Sequence, residues 1–299
     1  MSNEEQIKAV ARMQMFIEEQ LCEKITLLDL AKVAGYSPWY SAKIFKQHTL
    51  KTPFEYIRSL RLTRAALILR DDGPKVMDVA LDFVFDSHEG FTRAFSKEFG
   101  INPKKYIRET PPIRLFIPYT VSDYYQSLIR NEANDMEKET STVFTQVIEK
   151  PARKLILKRG VEAREYFAYC EEVGCDIWGV LSSIKEALSE PMGLWLPRKL
   201  IKKGTSKYVQ GVEVPLDYEG DIPEGYDIID LEPMKIMIFQ GQPYDDELFG
   251  EAIGALQSVI KTYDPTFYGF VWQEDGIKFQ LEPQGYRGYI EGKEVASKS

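Results

Sequence analysis

The sequence of 299 residues predicts a multi-domain protein in which an all-α domain is followed by an α+β domain. Three observations lead to this fold class. Apolar residues recur at helical spacing over the first 110 residues, a polar stretch without such spacing follows, and short strand-like runs then alternate with helical segments. We place the all-α domain at 1–110, a linker at 111–141 and the α+β domain at 142–292, with one short helix predicted within the linker at 122–130.

The first domain contains one short pattern twice, fifty residues apart. Phe45 and Phe95 are each followed eight residues later by a proline, Pro53 or Pro103, which begins the sequence Pro-x-x-Tyr-Ile-Arg. Each copy follows a helix-turn-helix pattern. Two copies are too few for a solenoid. A duplicated helix-turn-helix instead suits contact with a long polymer at two regularly spaced places, and DNA is such a polymer.

The elements of the first copy follow from local signals. After an amphipathic opening helix, Thr26 is an N-cap for a helix over 27–34, and Gly35 supplies the left-handed residue that ends it. Ser37 with the proline after it begins the next helix. A second proline begins a long helix over 54–70, which would hold the two copies about one DNA turn, roughly 34 Å, apart. The apolar positions of this helix that we expect to face inward are Ile57, Leu60, Ala65, Ile68 and Leu69.

The second copy comprises helices over 76–84 and 87–99, with Val84 at the turn position that Gly35 occupies in the first. In a helix-turn-helix the second helix lies in the major groove and presents its outward side chains to base edges. The expected DNA-binding residues are Trp39, Tyr40, Lys43, Lys46, Ser87, His88, Glu89, Thr92, Arg93 and Lys97.

Two basic residues occupy equivalent positions in the copies. Lys43 and Arg93 each precede the repeated phenylalanine by two residues. The arginine suits a forked contact with guanine, and the lysine suits guanine or phosphate. We assign Arg58 and Arg108 to structure or to phosphate contact.

The charge distribution separates the two domains. Residues 1–110 carry 17 basic and 15 acidic residues, a net +2, and the remaining 21 basic and 31 acidic residues leave a net −10 after residue 110. A basic front suits nucleic acid, whereas an acidic remainder repels phosphate and attracts cations. The sequence therefore indicates two separate tasks.

Specific motifs identify the front. The segment Ala-Gly-Tyr-Ser-x-Trp-Tyr, with Phe-Lys and Tyr-Ile-Arg after it, resembles the AraC/XylS family of bacterial transcription regulators, in particular its MarA/Rob-like branch. The later Ser-x-x-x-Phe-Thr-Arg-Ala-Phe and Pro-x-x-Tyr-Ile-Arg match the same family, so the resemblance covers about residues 7–109. The chain departs from it at Val84, where the family has glycine, and at Gly90, which lowers helix propensity. These departures predict a less stringent second reader.

The rear domain mixes strands, helices and many aromatic residues. Strands are expected at 143–148, 154–158, 193–196 and 208–214 and within 228–240 and 279–290, with helices at 165–188 and 245–262. Histidine is absent after residue 110, so no Ser-His-Asp or Cys-His nucleophile system can form there. The three cysteines have no metal-ligand spacing. We expect neither a metal nor a cofactor.

The rear domain resembles the GyrI-like domain through three segments. These are Tyr-Val-Gln-Gly-Val-Glu-Val-Pro from Tyr208, Ile-Pro-Glu-Gly-Tyr from Ile222 and Phe-Gln-Gly-Gln-Pro-Tyr from Phe239. The resemblance covers about 142–291 and implies two βαββ-like halves around a groove that binds amphipathic, often cationic, molecules.

The expected ligand-binding residues are aromatic or polar. They are Tyr166, Trp178, Trp195, Tyr208, Glu213, Trp272, Gln280, Glu282 and Tyr289. Related domains carry a glutamate in their closing strands, whereas here Gln280 or Arg287 stands in that region. Glu282 is one alternative acidic residue, and Glu213 is another if its strand face points into the groove.

Together these features predict a cytoplasmic transcription regulator that is not an enzyme. Its expected partners are double-stranded DNA, a small organic effector and RNA polymerase, with no membrane contact. Effector binding would change how the rear domain sits against the front, or recruit the polymerase. A GyrI-like hydrolase and a drug-sequestering module, each with an attached DNA-binding domain, remain the alternatives.

Overall fold

The computed structural model describes residues 3–85, 87–118, 142–174 and 176–298, apart from the side chain of residue 247. These residues form two compact units, one before and one after the undescribed stretch 119–141. The predicted short helix at 122–130 lies outside the described residues. The helices of the front unit are α1 Asn3–Glu19, α2 Leu27–Ala34, α3 Pro38–Thr49, α4 Pro53–Asp71, α5 Val76–Asp82, α6 His88–Phe99 and α7 Pro103–Glu109.

The first helix-turn-helix has the predicted boundaries. The Thr26 hydroxyl accepts a bond from the amide of Asp29, and the Asp29 carboxylate accepts one from the Thr26 amide, which completes a capping box for α2. Gly35 has φ 77° and ends α2, with the Tyr36 amide bonded to the Ala31 carbonyl. Ser37 caps α3 through the amide of Tyr40 at 3.4 Å.

The second turn repeats this geometry without glycine. Val84 has φ 59°, and the Phe85 amide bonds to the Ala80 carbonyl at 2.9 Å, as Tyr36 bonds to Ala31 in the first copy. A β-branched residue at positive φ is strained. Two residues rather than one then separate this position from the next N-cap, so the second turn is one residue longer. In the first copy the strained residue lies after the recognition helix, because Leu50 ends α3 with φ 59°. The equivalent residue of the second copy is Gly100, which ends α6.

The repeated phenylalanine and tyrosine hold each recognition helix against the helix that follows it. Phe45 on α3 packs edge-on against Tyr56 on α4, with ring centroids 5.2 Å apart. Phe95 on α6 packs against Tyr106 on α7 at 5.7 Å. All four side chains are buried, and burial raises the pKa of Tyr106 to about 12. The repeat is therefore first a packing motif of the fold.

Helix α4 is the central element of the front unit. Its buried residues lie on several faces, and they include Ile57, Leu60 and Leu69 as predicted. Ile68, which we expected to face inward, is 36% exposed, because the helix leaves one side to solvent there. The front core also extends past residue 110, since Ile113 and Leu115 are buried in it.

The rear unit is rich in antiparallel sheet. Its elements are β1 Phe144–Lys150, β2 Arg153–Arg159, α8 Tyr166–Val173, α9 Ile177–Ser182, β3 Met192–Trp195, β4 Tyr208–Val214, β5 Asp227–Leu231, β6 Met234–Gln240, α10 Phe249–Thr262, β7 Phe270–Trp272, β8 Lys278–Gln280 and β9 Ile290–Ser297. Every expected strand region contains a strand, and the helical region at 165–188 is interrupted after Val173. Strand β7 was not predicted, because three residues are too few to show a period.

The described strands form one sheet of order β1-β6-β9-β8-β3-β4-β2-β5, with β7 paired to β9. Strand β1 pairs with β6, and β2 pairs with β5, both in antiparallel orientation. The register is the same in the two pairs, because Lys150 lies opposite Met234 and Arg153 lies opposite Leu231. The chain order divides the sheet into two halves, β2–helices–β3–β4 and β6–helix–β7–β8–β9. These two halves meet where β3 pairs with β8.

The two faces of the sheet have different neighbours. Leu155, Leu194, Ile238 and Phe279 belong to one apolar core that both halves share. On the opposite face, α8 and α9 pack on strands of the first half, and α10 packs on strands of the second. The central strands β3, β8 and β9 therefore lie between the two groups of helices.

The strained turn makes a stability prediction. Val84→Gly is expected to raise the free energy of unfolding of the front unit by about 1 kcal/mol, because the left-handed conformation costs an L-residue about 1–2 kcal/mol and glycine loses part of that gain in entropy. Thermal denaturation of the full chain measures the effect.

Val84→Ala is the matched control, because alanine keeps the Cβ that opposes the left-handed conformation, and it should not raise the midpoint. A lower midpoint for Val84→Gly would mean that packing of the half-buried valine outweighs the backbone strain.

Candidate functional site

The outer face of α3 presents a row of solvent-exposed side chains. Trp39, Lys43 and Gln47 are four residues apart and therefore lie on one side of the helix, with Lys46 beside them. Trp39 is 72% exposed, which is unusual for tryptophan. The ammonium of Lys43 lies 5.5 Å from the centroid of its ring. The α3 row thus combines a large aromatic surface with a positive charge.

Helix α6 presents the same row. Counted from the capping serines, Glu89, Arg93 and Lys97 are equivalent to Trp39, Lys43 and Gln47, and all three are exposed. Both helices have 12 residues. The α6 row carries mixed charge, whereas the α3 row is only positive.

Gly90 has a structural role at the start of α6. It lies in the first turn, where its amide donates to the capping Ser87 hydroxyl at 3.0 Å. A Cβ at Gly90 would lie 3.1 Å from that hydroxyl, so glycine leaves room for the cap. The two units also differ at the turn, where Val84 stands in place of glycine.

Four of the expected DNA-binding residues have less exposed side chains than the residues of the α3 and α6 rows. Ser87 caps α6, and Tyr40 accepts a hydrogen bond from Gln6 on α1 and packs against Tyr36 at 5.2 Å. His88 and Thr92 are half-buried. Tyr40 and Ser87 therefore have clear structural roles.

The sequence analysis did not select Gln47. Its position could have been found from the repeat, because Gln47 lies fifty residues before Lys97, which was selected. It is exposed at the end of the α3 row. An amide side chain at this place can form the paired hydrogen bonds that adenine accepts and donates in the major groove.

In the rear unit, six residues of β3, β8 and β9 share the face that carries the helices. Gly193, Gln280 and Glu291 lie opposite one another across the three strands, and so do Trp195, Lys278 and Lys293. Residues that are directly opposite in antiparallel strands point to the same face. We call these six residues the central strip. A Cβ at Gly193 would overlap the Tyr208 hydroxyl, so glycine is required for this packing.

Four expected ligand-binding residues meet at the central strip. Trp195 packs edge-on against Tyr208 at 5.0 Å, and the Gln280 amide nitrogen lies 3.4 Å from the Tyr208 hydroxyl. The Tyr289 hydroxyl lies 3.4 Å from Gln280 Oε1 and donates to Glu291 Oε1 at 3.1 Å. Burial raises the pKa values of Tyr208 and Tyr289.

The acidic residue at this place is Glu291, which the sequence analysis did not select. It is 1% exposed and also accepts a hydrogen bond from Gln257 on α10 at 2.8 Å. Lys278 forms an ion pair with its other oxygen at 2.8 Å. The alternation of residues along a strand could have identified it, because β9 begins at Ile290 and places Glu291 and Lys293 on one face. The predicted strand region ended at residue 290, so this alternation was missed.

Two lysines of the central strip lie on tryptophan rings. The Lys278 ammonium is 4.6 Å from the centroid of Trp195, and the Lys293 ammonium is 4.2 Å from that of Trp272. Burial, and after it the charge of Lys278, lowers the pKa of Lys293. Trp272 thus borders the central strip on the β7 side.

The other expected ligand-binding residues lie elsewhere. Tyr166 and Trp178 pack together 6.5 Å apart on α8 and α9. Glu282 follows β8 and is exposed. Glu213 does not meet the condition set for it, because it is next to Val212 and Val214 on β4 and faces away from the helices. There it pairs with Arg153 at 2.7 Å and with Lys150 at 2.6 Å.

The described residues lack two kinds of feature. They contain no group of three His, Cys, Asp or Glu side chains placed to hold a metal ion. None of their helices is both long enough and apolar enough to cross a bilayer.

Comparison with known proteins places the front unit in a family. Residues 30–109 match the model of the helix-turn-helix domain. The chain is 40% identical over 94 residues to the transposon Tn10 TetD protein of Escherichia coli, a match that covers 31% of this chain and 68% of that protein. It is 36% identical over 91 residues to the regulatory protein SoxS of Salmonella typhimurium, covering 30% of this chain and 85% of SoxS.

A longer relative matches over the same region only. The transcriptional regulator Rob of Salmonella typhimurium is 37% identical over 109 residues, which are 34% of this chain and 38% of Rob. All three similarities thus concern about a third of the chain. With the two helix-turn-helix units and their exposed rows, they lead to one conclusion. The chain belongs to the AraC/Rob family of DNA-binding transcription regulators.

Proposed function

We propose that this regulator reads its operator with both recognition helices and responds to a small amphipathic organic molecule bound by a GyrI-like rear unit. The observation that carries the DNA-reading proposal is the matched pair of exposed rows on α3 and α6. Equivalent positions on helices of equal length, each packed by the same phenylalanine–tyrosine pair, suit two successive stretches of major groove.

The individual rows suggest distinct contacts. Trp39 offers an apolar surface for sugar or thymine methyl groups, and its contact with Lys43 keeps the ammonium near the same place. Arg93 suits guanine, and the neighbouring Glu89 can accept a hydrogen bond from cytosine. Lys46 and Lys97 are available for phosphate. Tyr40, Ser87, His88 and Thr92 are proposed to position the two helices.

Effector binding is proposed for the central strip. Strands β3, β8 and β9 lie between two groups of helices, and Trp195, Lys278, Gln280 and Lys293 are only partly buried. Aromatic rings with a few convergent polar groups are typical of the lining of small-molecule sites. The β2–helices–β3–β4 and β6–helix–β7–β8–β9 order supports the GyrI-like assignment.

Regulation follows if the effector changes DNA binding or contact with RNA polymerase. A small molecule found by thermal-shift screening of the full chain should change operator affinity or transcription. Typical couplings of about 1–3 kcal/mol change an affinity about 5–150-fold.

Gln280→Ala tests whether this coupling depends on the central strip, because the variant removes a half-buried amide from it. In that variant the molecule should act more weakly on both binding and transcription. If a saturating ligand left operator affinity and transcription unchanged in purified components, the regulatory link would be rejected.

Direct readout is tested with an operator selected from random DNA. Lys43→Ala and Arg93→Ala are each expected to weaken operator binding by about 1–3 kcal/mol and to relax specificity at one base position. We expect the smaller loss for Arg93→Ala, because the turn before α6 carries Val84 at positive φ. Lys24→Ala removes the same charge from an exposed position outside both helices and serves as control. Equal losses on operator and random DNA would restrict both residues to phosphate contact.

Gln47→Ala tests the residue that the repeat identifies. We expect a loss of about 1–3 kcal/mol on the operator, no loss on random DNA, and relaxed preference at one adenine. Gln20→Ala, outside the recognition helices, should change neither affinity. An unchanged base preference in the Gln47 variant would remove it from the reading surface.

A further inference from the structure

The central strip carries two neighbouring positive charges, and only one has an acidic partner. Lys278 and Lys293 lie directly opposite each other on β8 and β9. Like charges in this arrangement are destabilising. Lys278 is compensated by Glu291 at 2.8 Å. Within the described part of the chain, the structure shows no acidic partner for Lys293, whose ammonium lies on the ring of Trp272 instead.

The buried acid is already satisfied. Glu291 is bonded to Tyr289 and Gln257 and paired with Lys278. A cationic ligand could reach this carboxylate only by displacing Lys278, and it would then lie beside two ammonium groups. Removing one partner from a buried charge pair is costly. The charges of the central strip therefore disfavour an organic cation.

An anionic group would have the opposite effect. It would compensate Lys293, reduce the repulsion between the two lysines and leave the bonds of Glu291 intact. Trp195 and Trp272 stand next to the two lysines, so apolar ring surface is available beside the charge. A partly buried cation next to aromatic rings suits a ligand that has a ring system and one acidic substituent.

We propose that the central strip binds aromatic carboxylates or related amphipathic anions, with Lys293 holding the acidic group. This inference rests on the proposed effector-binding function and names the chemical class of its ligand. It reverses the cation preference that the resemblance to GyrI-like domains implied. Lys293 is the specificity residue, and the two tryptophans provide the apolar surface.

Three probes of equal ring size test the charge preference by isothermal titration calorimetry on the full chain. They are 2-naphthoate, 2-naphthylmethylammonium and 2-naphthalenemethanol. We expect 2-naphthoate to bind at least about tenfold more tightly than the ammonium and alcohol probes, since a charge pair in a partly buried site is only weakly screened. Acetate, which has the carboxylate without the rings, should bind far more weakly than 2-naphthoate.

Variants assign the preference to one residue. Lys293→Gln should remove the advantage of 2-naphthoate over the alcohol, and Lys293→Arg should keep it because the charge remains. Lys261→Gln, an exposed lysine on α10, makes the same change of net charge and should keep the advantage. If Lys293→Gln retained the preference for 2-naphthoate, the assignment to Lys293 would be overturned.

The other outcomes separate this inference from the proposed function. Equal binding of the three ring probes, or tightest binding of the ammonium, would overturn the anion inference and leave effector binding in place. Acetate binding as tightly as 2-naphthoate would overturn the role of the tryptophans. Failure of all three ring probes to bind would overturn the inference and also count against effector binding at the central strip.

Discussion

The burial of α4 on several of its faces is the constraint on which the front unit depends. Tyr56 of this helix packs on the first recognition helix, Arg61 binds the Leu21 carbonyl after α1, and the Thr63 hydroxyl accepts a bond from the Phe116 amide. A helix of 19 residues is about 28 Å long. Because it contacts elements of both helix-turn-helix units, it sets the relation between the two recognition helices.

The two units keep one packing scheme while their backbones and charges differ. The first has glycine in its turn and Leu50 in the left-handed position after the recognition helix, whereas the second has Val84 in the turn and Gly100 after the helix. Between the turn and the end of the recognition helix, each unit therefore has one described non-glycine residue at positive φ. The exposed rows differ in charge, so equivalent positions on α3 and α6 carry unlike side chains. In the rear unit, neighbouring charged residues also differ in their partners, because Glu291 is bonded to Tyr289 and Gln257 and paired with Lys278, whereas Lys293 lies on the ring of Trp272.

Much of the fold could be predicted from the sequence where local signals were strong. Capping residues and the repeated phenylalanine, proline and tyrosine positions defined the helices of the front unit, because these residues act within one or two turns of the chain. In the rear unit, prediction of the site was incomplete. The strand that carries Glu291 was expected to end near its start, and the face of Glu213 depends on which residue of β4 lies opposite which residue of β2. Strand register arises from long-range pairing, which a single sequence does not specify.

We propose that one chain reads two successive stretches of major groove. Footprinting of the selected operator by dimethyl sulfate protection tests it most directly, because guanine N7 lies in the major groove. We expect two protected segments on one face of the duplex, with centres about 10 base pairs apart. Arg93→Ala should remove protection from one segment and leave the other. A single protected segment in the native chain, or loss of both segments together in the variant, would contradict the account.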